Sequence, residues 1–167
     1  MDNTGIGMNT TSISLPNAIK DRFAIGHIGG KEVNHEFIPE AIQAAGARYS
    51  TANDLLKYLS ANMGLIHTEI NDAMDKTHLI RHLFAESSQH TPLSATYIGL
   101  GLVISTDFGK EVIWHTGAID GYSSIIAFNP EKQLGIVILC SCDTKDVPAP
   151  EMINFAVPFL LHYHTNN

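Results

Sequence analysis

A histidine, a threonine and a glycine stand together as His115, Thr116 and Gly117, at the end of an apolar stretch and just before a turn. A glycine lacks the Cβ that would keep a substrate backbone away from a strand. The threonine hydroxyl suits a carboxylate, and the histidine ring can donate a hydrogen bond or change its charge. The backbone N–H of Ala118 could point at a developing oxyanion. On the residues alone, a structural histidine beside a turn glycine explains the motif equally well.

The segments around this motif have the period of strands. From Tyr97 onward, apolar runs separated by turn signals predict an antiparallel meander. The predicted strands are YIGLGLVIS, EVIWHTGA, YSSIIAFN and LGIVILCSC, and the turns between them are DFGK, AIDG and PEKQ. The segment APEMINFAVPFLLHYH that follows predicts a helix laid on this sheet and bent at Pro158.

Helical patterns precede the strands. Ser50 or Thr51 can cap a helix over residues 51–63, which Gly64 ends. The segment TEINDAMDKTHLIRHLFAE predicts a second helix with Thr68 as its cap, and Pro92 closes the helical part. The first residues are rich in Gly, Asn, Thr and Ser and predict loops and turns.

These patterns together predict an α+β fold, an antiparallel meander with a C-terminal helix packed on it plus a helical portion. We divide the chain into a loop-rich and helical portion at residues 1–92 and a sheet with its C-terminal helix at residues 93–167.

Composition excludes several classes of partner. Ten basic residues against seventeen acidic ones give a formal charge of −7, and no run of Lys or Arg occurs, which argues against nucleic acid. No apolar run approaches the roughly 20 residues that span a bilayer, and the first 30 residues lack the layout of a signal peptide. The sequence assigns no cellular compartment.

The two cysteines and a pair of histidines have spacings that raise the question of a metal or redox site. Cys140 and Cys142 are expected to be small hydrophobes, because residues two apart in a strand lie too far apart for easy disulfide closure, and this pair supplies too few ligands for a metal. His78 and His82 are four apart on the predicted helix, but no zincin glutamate accompanies them, so a solvated helix face is the better interpretation. No metal and no cofactor are predicted.

Three segments, in the same order, resemble one family. The run from GLGLVIS through WHTGAIDGYSSIIAFNPEKQLGIVIL is similar to the C-terminal strands of the penicillin-recognising serine hydrolases, which include class C β-lactamases, D-alanyl-D-alanine peptidases and esterases. The earlier segments IGMNTTSISLP and AGARYSTANDLLKYLSANM also resemble this family. The resemblance covers nearly the whole chain and implies part of a β-lactamase/transpeptidase-like fold.

The resemblance gives the histidine motif a role. The family's third active-site motif is Lys or His, then Thr or Ser, then Gly, and it matches His115, Thr116 and Gly117. It implies that His115 acts in catalysis, that Thr116 and Gly117 bind the substrate, and that Ala118 donates to the oxyanion. The histidine form is similar to that of D-alanyl-D-alanine peptidases and esterases.

The family's nucleophile motif, Ser-x-x-Lys, does not occur in this sequence. The segments Tyr58–Ser60 and Tyr122–Ser124 fit the second motif, Tyr-x-Ser, but neither is in the matching place. Ser123 and Ser124 also lack a Gly-x-Ser-x-Gly elbow. Because an acyl-enzyme needs a serine activated by a base, the chain alone should not turn over an acyl substrate.

We therefore expect the C-terminal portion of a serine hydrolase that acts on a small acyl substrate, namely a β-lactam, a D-amino-acid peptide or an ester. The alternative is a non-catalytic remnant or binding module of the same fold. The strand at residues 134–142 is apolar and carries no charge or proline, so it should need cover from the missing N-terminal half, a second copy or a rearranged local element.

Overall fold

The computed structural model of this chain describes residues 5–15, 17–33, 43–46, 48–86, 95–107 and 109–163. Its centre is a six-stranded antiparallel sheet in the order β3-β4-β5-β6-β7-β8. These strands are β3 (His82–Glu86), β4 (Ala95–Ile98), β5 (Val103–Asp107), β6 (Lys110–Ile119), β7 (Tyr122–Asn129) and β8 (Leu134–Cys140). A separate hairpin is formed by β1 (Gly26–Ile28) and β2 (Lys31–Val33). The predicted α+β class is confirmed.

Four α-helices are described, together with a 3-10 helix at Asn17–Arg22. They are α1 (Gln43–Gly46), α2 (Ala52–Asn62), α3 (Asn71–Thr77) and α4 (Ala149–His162). The helix predicted at residues 51–63 is confirmed as α2, and its cap is Thr51, whose side chain accepts a hydrogen bond from the Asp54 N–H. None of the helices in the described part of the chain is long and apolar enough to cross a bilayer.

Helices cover both faces of the sheet. On the α4 face, strand residues alternate with buried residues of α4, and the fully buried members of this cluster include Val112, Ile125, Ala156 and Leu161. On the opposite α2 face, Leu59 packs with a second buried set: Leu102, Ile104, Ile113 and Phe128. The sheet therefore holds two cores, one on each side.

The second predicted helix is wrong beyond Thr77. The chain leaves α3 there, and β3 pairs with β4, while Leu79 and Ile80 stay exposed. The helix ends at Thr77 because Gly99 and Leu100, which come later in the sequence, contact its last turn. Gly99 lies so close to the Thr77 carbonyl that a Cβ would collide with it, and the Leu100 N–H donates to the same carbonyl at 3.1 Å. Thr68, the predicted cap, instead accepts from the Ile70 N–H at 3.3 Å.

The segment YIGLGLVIS, predicted as one strand, is two. β4 ends at Ile98 and β5 begins at Val103, and the Gly99 N–H donates to the Leu102 carbonyl at 2.8 Å across the turn. Gly101 has φ of 74°, a conformation that favours glycine. The position of Pro92 and the boundary at residue 92 fall outside the described residues, so the division into two portions stays a prediction.

Cys140 and Cys142 form a disulfide, so the expectation of unpaired cysteines is wrong. β8 ends at Cys140 and the chain bends at residues 141–142, which brings the two Cα atoms to 5.2 Å. That separation lies within the usual range for a disulfide. The prediction failed because it continued the strand through Cys142.

A buried carboxylate fixes the N-terminal segment to α2. Asp54 is 2% exposed and accepts hydrogen bonds from the Thr10 N–H at 2.8 Å and from the hydroxyls of Thr10 and Thr11. It also pairs with Lys57 at 3.2 Å. Burial alone would raise the pKa of Asp54, but the hydrogen bonds outweigh it and hold that pKa below its ordinary value.

A lysine from the β7–β8 turn binds the last turn of α4. Lys132 Nζ donates to the carbonyls of Leu160, Leu161 and Tyr163 at 2.8 to 3.1 Å. A cation at a helix C-terminus satisfies carbonyls that lack a helical partner and complements the helix dipole. The predicted C-terminal helix is confirmed, and this contact fastens its end to the sheet.

Candidate active site

The histidine motif occupies the part of β6 that extends beyond its neighbour. β5 begins at Val103, which pairs with Trp114, so β6 residues 115–119 have a strand partner only on the β7 side. Helix α1 approaches β6 but does not pair with it. Within the described ranges, no strand pairs with the β5 side of residues 115–119. We call this segment the open edge.

The register fixes which backbone groups face outward at the open edge. Ile119 pairs directly with Tyr122 around the turn at residues 120–121, and hydrogen-bonded pairs alternate from there in an antiparallel ladder. His115 and Gly117 therefore bond to β7. Thr116 and Ala118 direct their N–H and C=O groups away from β7, toward the side that β5 has left. The Ala118 N–H thus lies along the open edge.

The side chains of the motif alternate between the two faces. His115 and Gly117 follow Ile113 on the α2 face, whereas Thr116 and Ala118 follow Trp114 on the α4 face. The His115 side chain is exposed and makes no hydrogen bond or ion pair with another described residue. Its imidazole is accessible to a ligand placed on the α2 face.

Gly117 lies across from Ser124, and the pair leaves little room on the α2 face. A Cβ at Gly117 would come within 2.6 Å of the Ser124 Oγ, which donates weakly to the Gly117 carbonyl at 3.5 Å. The glycine thus has an intramolecular reason for its missing side chain. Ser124 is a strand residue whose hydroxyl faces the backbone of the neighbouring strand β6, which does not favour a role as nucleophile.

A buried tryptophan anchors the strand just before His115. Trp114 is 8% exposed, and its indole Nε1–H donates to the Ser105 Oγ at 2.9 Å. Ser105 is itself fully buried, so this hydrogen bond is shielded from water. The strand therefore enters the open edge from a fixed position.

The far end of the open edge is held by the chain segment before β1. The Tyr122 hydroxyl donates to the Ala24 carbonyl at 2.7 Å, and its ring packs against Phe23 at a centroid distance of 5.5 Å. Gly26 lies so close that a Cβ there would be 2.7 Å from the Tyr122 ring. Burial raises the pKa of Tyr122. Sequence analysis did not predict this contact, because Tyr122 and Ala24 are 98 residues apart.

The other sequence candidates lie apart from the open edge or carry other roles. Tyr58–Ser60 lies inside α2, and Tyr122–Ser124 begins β7. His78 follows α3 while His82 opens β3, so they do not share a helix face as predicted. Among the described residues, no three His, Cys, Asp or Glu side chains are placed to hold a metal ion.

Sequence comparison with known proteins gives matches to β-lactamases. The family model for β-lactamases matches residues 4–157. A β-lactamase of Yersinia enterocolitica is 23% identical over 184 residues, a match that covers 92% of this chain and 45% of that relative.

Solved structures give the same match in three dimensions. A class C β-lactamase superposes with a TM-score of 0.77 at 20% identity, covering 98% of this chain and 49% of the other. The D-alanine carboxypeptidase AmpC from Burkholderia cenocepacia gives a TM-score of 0.76 at 26% identity, covering 93% and 51%. The chain spans about half the length of these relatives.

Proposed function

The chain belongs to the β-lactamase family, and on that premise we propose that it is the C-terminal, substrate-binding portion of a serine hydrolase that acts through an acyl-enzyme. The open edge carries this proposal. It offers backbone donors and acceptors along a strand, and an extended acyl substrate can pair with such an edge. The coverage of only about half of each relative is consistent with a chain that holds one part of the machinery.

Each motif residue receives a role from its place at the open edge. The Ala118 N–H faces outward, where it can donate to the carbonyl oxygen as that atom gains charge. His115, exposed on the α2 face, supplies an acid–base or electrostatic contribution. The Thr116 hydroxyl binds a substrate carboxylate. Gly117 has no side chain that would keep the substrate away from the strand. A nucleophile would have to reach the substrate from the α2 face, on which His115 lies.

The substrate is a small acyl compound: a β-lactam, a D-amino-acid peptide or an ester. The relatives named above include a β-lactamase and a D-alanine carboxypeptidase, and both chemistries are open to this chain. In each class the reacting carbonyl can lie against the Ala118 N–H. A backbone donor does not distinguish one leaving group from another, so the choice among them must come from side chains around the edge.

The nucleophile is proposed to come from an N-terminal half that pairs with β8 and completes the sheet. The present sequence holds no Ser-x-x-Lys, and β8 pairs only with β7 among the described strands. The alternative is a non-catalytic remnant or binding module in which the open edge holds a ligand without reacting.

Labelling with a fluorescent penicillin tests the proposal. The chain alone should not become covalently labelled, and the chain mixed or fused with an N-terminal half that carries Ser-x-x-Lys should be labelled on that serine. Covalent labelling of this chain by itself would show that its nucleophile lies within these residues. No labelling in the reconstituted protein, together with reversible binding at the open edge, would favour the binding module.

Two substitutions test the residue roles in the reconstituted protein. His115→Ala should slow acylation by roughly 10²-fold or more, whereas the exposed His67→Ala should leave it unchanged. Ala118→Pro removes the outward N–H without removing a bond to β7 and should slow acylation by roughly 10²- to 10³-fold. Ala118→Val, which keeps the N–H, is the matched control. Equal rates for Ala118→Pro and Ala118→Val would exclude the oxyanion role.

A further inference from the structure

We propose that the Cys140–Cys142 disulfide is a thiol–disulfide exchange site, and that its redox state controls how firmly the β1–β2 hairpin is held against the end of the open edge. The disulfide closes a loop of sequence separation 2 at the point where β8 ends. Both cysteines are half-buried, and Cys140 also packs against the core on the α4 face. The part of each residue that remains exposed is where a low-molecular-weight thiol would approach the disulfide. This inference does not depend on the proposed hydrolase activity.

Ser123 makes the two sulfur atoms of the disulfide unequal as leaving groups. Its Oγ lies 3.7 Å from the Cys142 Sγ. A sulfur atom in a disulfide carries no hydrogen, so the serine hydroxyl must be the donor in this contact. The same hydroxyl would stabilise a thiolate on Cys142 after the bond breaks. Cys142 is therefore the leaving sulfur, and the incoming thiolate attacks Cys140.

The exchange is balanced by two equivalents of the external thiol. The first thiolate bonds to the Cys140 Sγ and displaces the Cys142 thiolate, which takes up a proton. A second external thiolate attacks the external sulfur of this mixed disulfide, which releases the Cys140 thiolate to be protonated. The protein disulfide gains two electrons, and the two external thiols become one external disulfide.

The bend that this disulfide closes carries the β1–β2 hairpin. His27 Nδ1 donates to the Ser141 carbonyl at 3.1 Å, and the Asp143 N–H donates to the His27 carbonyl at 2.9 Å. The Gly29 N–H donates to Asp146 Oδ2 at 2.9 Å. On its other side, the His27 N–H donates to the Gly121 carbonyl at 3.2 Å, in the turn that follows the histidine motif.

Opening the disulfide should loosen this contact without unfolding the sheet. A disulfide that closes a very short loop removes little entropy from the unfolded chain, so its effect on global stability is small. Its local effect is larger, because it restrains Ser141, whose carbonyl faces His27. Reduction thus frees the bend and, through it, the hairpin beside Gly121.

Thiol counting and amide exchange on the full chain test the proposal. Alkylation of the air-oxidised protein should modify no cysteine, and millimolar glutathione should expose two thiols with a transient glutathione adduct on Cys140. After reduction, the amides of Gly29 and Asp143 should exchange about 10-fold faster, while the Ile113 amide in the sheet keeps its rate. The double variant Cys140→Ser/Cys142→Ser should show the same fast exchange without any reductant.

Several results would overturn the proposal. These are two alkylated thiols in the air-oxidised protein, an adduct on Cys142 alone, or hairpin exchange that is equal in both redox states. Ser123→Ala should slow the appearance of the first thiol, on Cys142, several-fold, and an unchanged rate would remove the role assigned to Ser123. A thermal melt of Ser123→Ala, compared with Ser123→Thr, separates this effect from a loss of folding.

Discussion

The two edges of the six-stranded sheet are built differently. β3, at one edge, is five residues long, and its pairing with β4 shifts register between Leu83 and Ala85. β8, at the other edge, is seven residues long and pairs with β7 without a shift. No charged residue and no proline lies in β8, whereas β3 begins with a histidine and ends with a glutamate.

This difference indicates which of the two edge strands is protected from pairing with a further strand. A bulge and polar residues discourage pairing with another chain, and β3 has both. β8 has neither device, and its side chains are mostly half-buried although helices pack on both of its faces. β8 is therefore the edge strand at which the proposed N-terminal half would pair. The predictions below test this contrast, beginning with the largest effect.

Proline substitutions should distinguish the two backbone sides of β8. The alternation that begins at the β6–β7 turn directs the N–H of Ile136 toward β7 and that of Leu139 outward. Ile136→Pro loses a ladder hydrogen bond and core packing and should lower the free energy of unfolding by about 3 kcal/mol or more. Leu139→Pro should cost about 1 kcal/mol or less. Urea denaturation of both variants measures this, and equal losses would contradict the edge assignment.

Amide exchange should show the same alternation in the unmodified chain. In a monomer, the outward amides of Val137 and Leu139 should exchange at least about 10²-fold faster than those of Ile136 and Ile138. An N-terminal half that pairs with β8 should remove this difference and leave the amides of β3 unaffected. Slow exchange of Val137 and Leu139 in a confirmed monomer would mean that the edge is already covered.

Acid should weaken the β3 side of the sheet before the β8 side. His78 lies just ahead of β3, with its Nε2 2.9 Å from Asn62 Oδ1 and its ring against Phe128. Burial lowers the pKa of His78, and the nearby Asp75 only partly opposes this. Below the ordinary histidine value of about 6.5, the unfolded chain binds this proton more readily than the folded one, so stability falls as pH falls.

The pH effect can be measured by following denaturation between pH 7.5 and 5. We expect a progressive loss of stability that disappears in His78→Gln, because glutamine can still donate to Asn62 but does not titrate. Exchange at Arg81, whose N–H donates to the Ile98 carbonyl, should accelerate before exchange at Ile136. The same pH dependence in His78→Gln as in the unmodified chain would assign the effect to another group.

The smallest effect is expected from lysines on the two edges. Leu139 is 47% exposed on β8, and Phe84 is 65% exposed on β3. Each lysine substitution should change the free energy of unfolding by no more than about 0.5 kcal/mol. Leu139→Lys should reduce any self-association seen by light scattering, because charge on a bare edge opposes pairing. Phe84→Lys should not, and a larger effect from Phe84→Lys would reverse the contrast.

Local signals made part of this fold predictable. The threonine cap of α2, the apolar spacing of α4 and the Asp120–Gly121 turn each specify their own element within a few residues. The helix predicted through residues 78–86 failed because Leu100 and Ile98 hydrogen-bond to the backbone of Thr77 and Arg81 from elsewhere in the chain. No local pattern could outweigh hydrogen bonds that exist only after the sheet has formed.

The candidate site likewise combines features that the sequence predicts with features that it does not. The motif at His115 was visible because its three residues are contiguous, whereas the contact that holds the far end of the open edge joins residues far apart in sequence. Tyr122 reaches Ala24 across 98 residues, and Thr10 likewise reaches Asp54 across 44 where the N-terminal segment meets α2. Such contacts depend on the tertiary structure, so no local sequence pattern predicts them. The outward direction of the Ala118 N–H likewise follows from the turn geometry and from where β5 begins.

The position of α4 in the chain bears on how the protein can be made. The ribosome releases β6 and β7 before α4, so the apolar side formed by Val112, Trp114 and Ile125 emerges without its cover. Lys132 must likewise wait for the carbonyls at the end of α4. The nascent chain therefore passes through a stage in which the sheet is incomplete and its apolar side is exposed. Chaperones are most useful at that stage. A chain that ended before residue 149 would lack α4, and this apolar side would stay exposed.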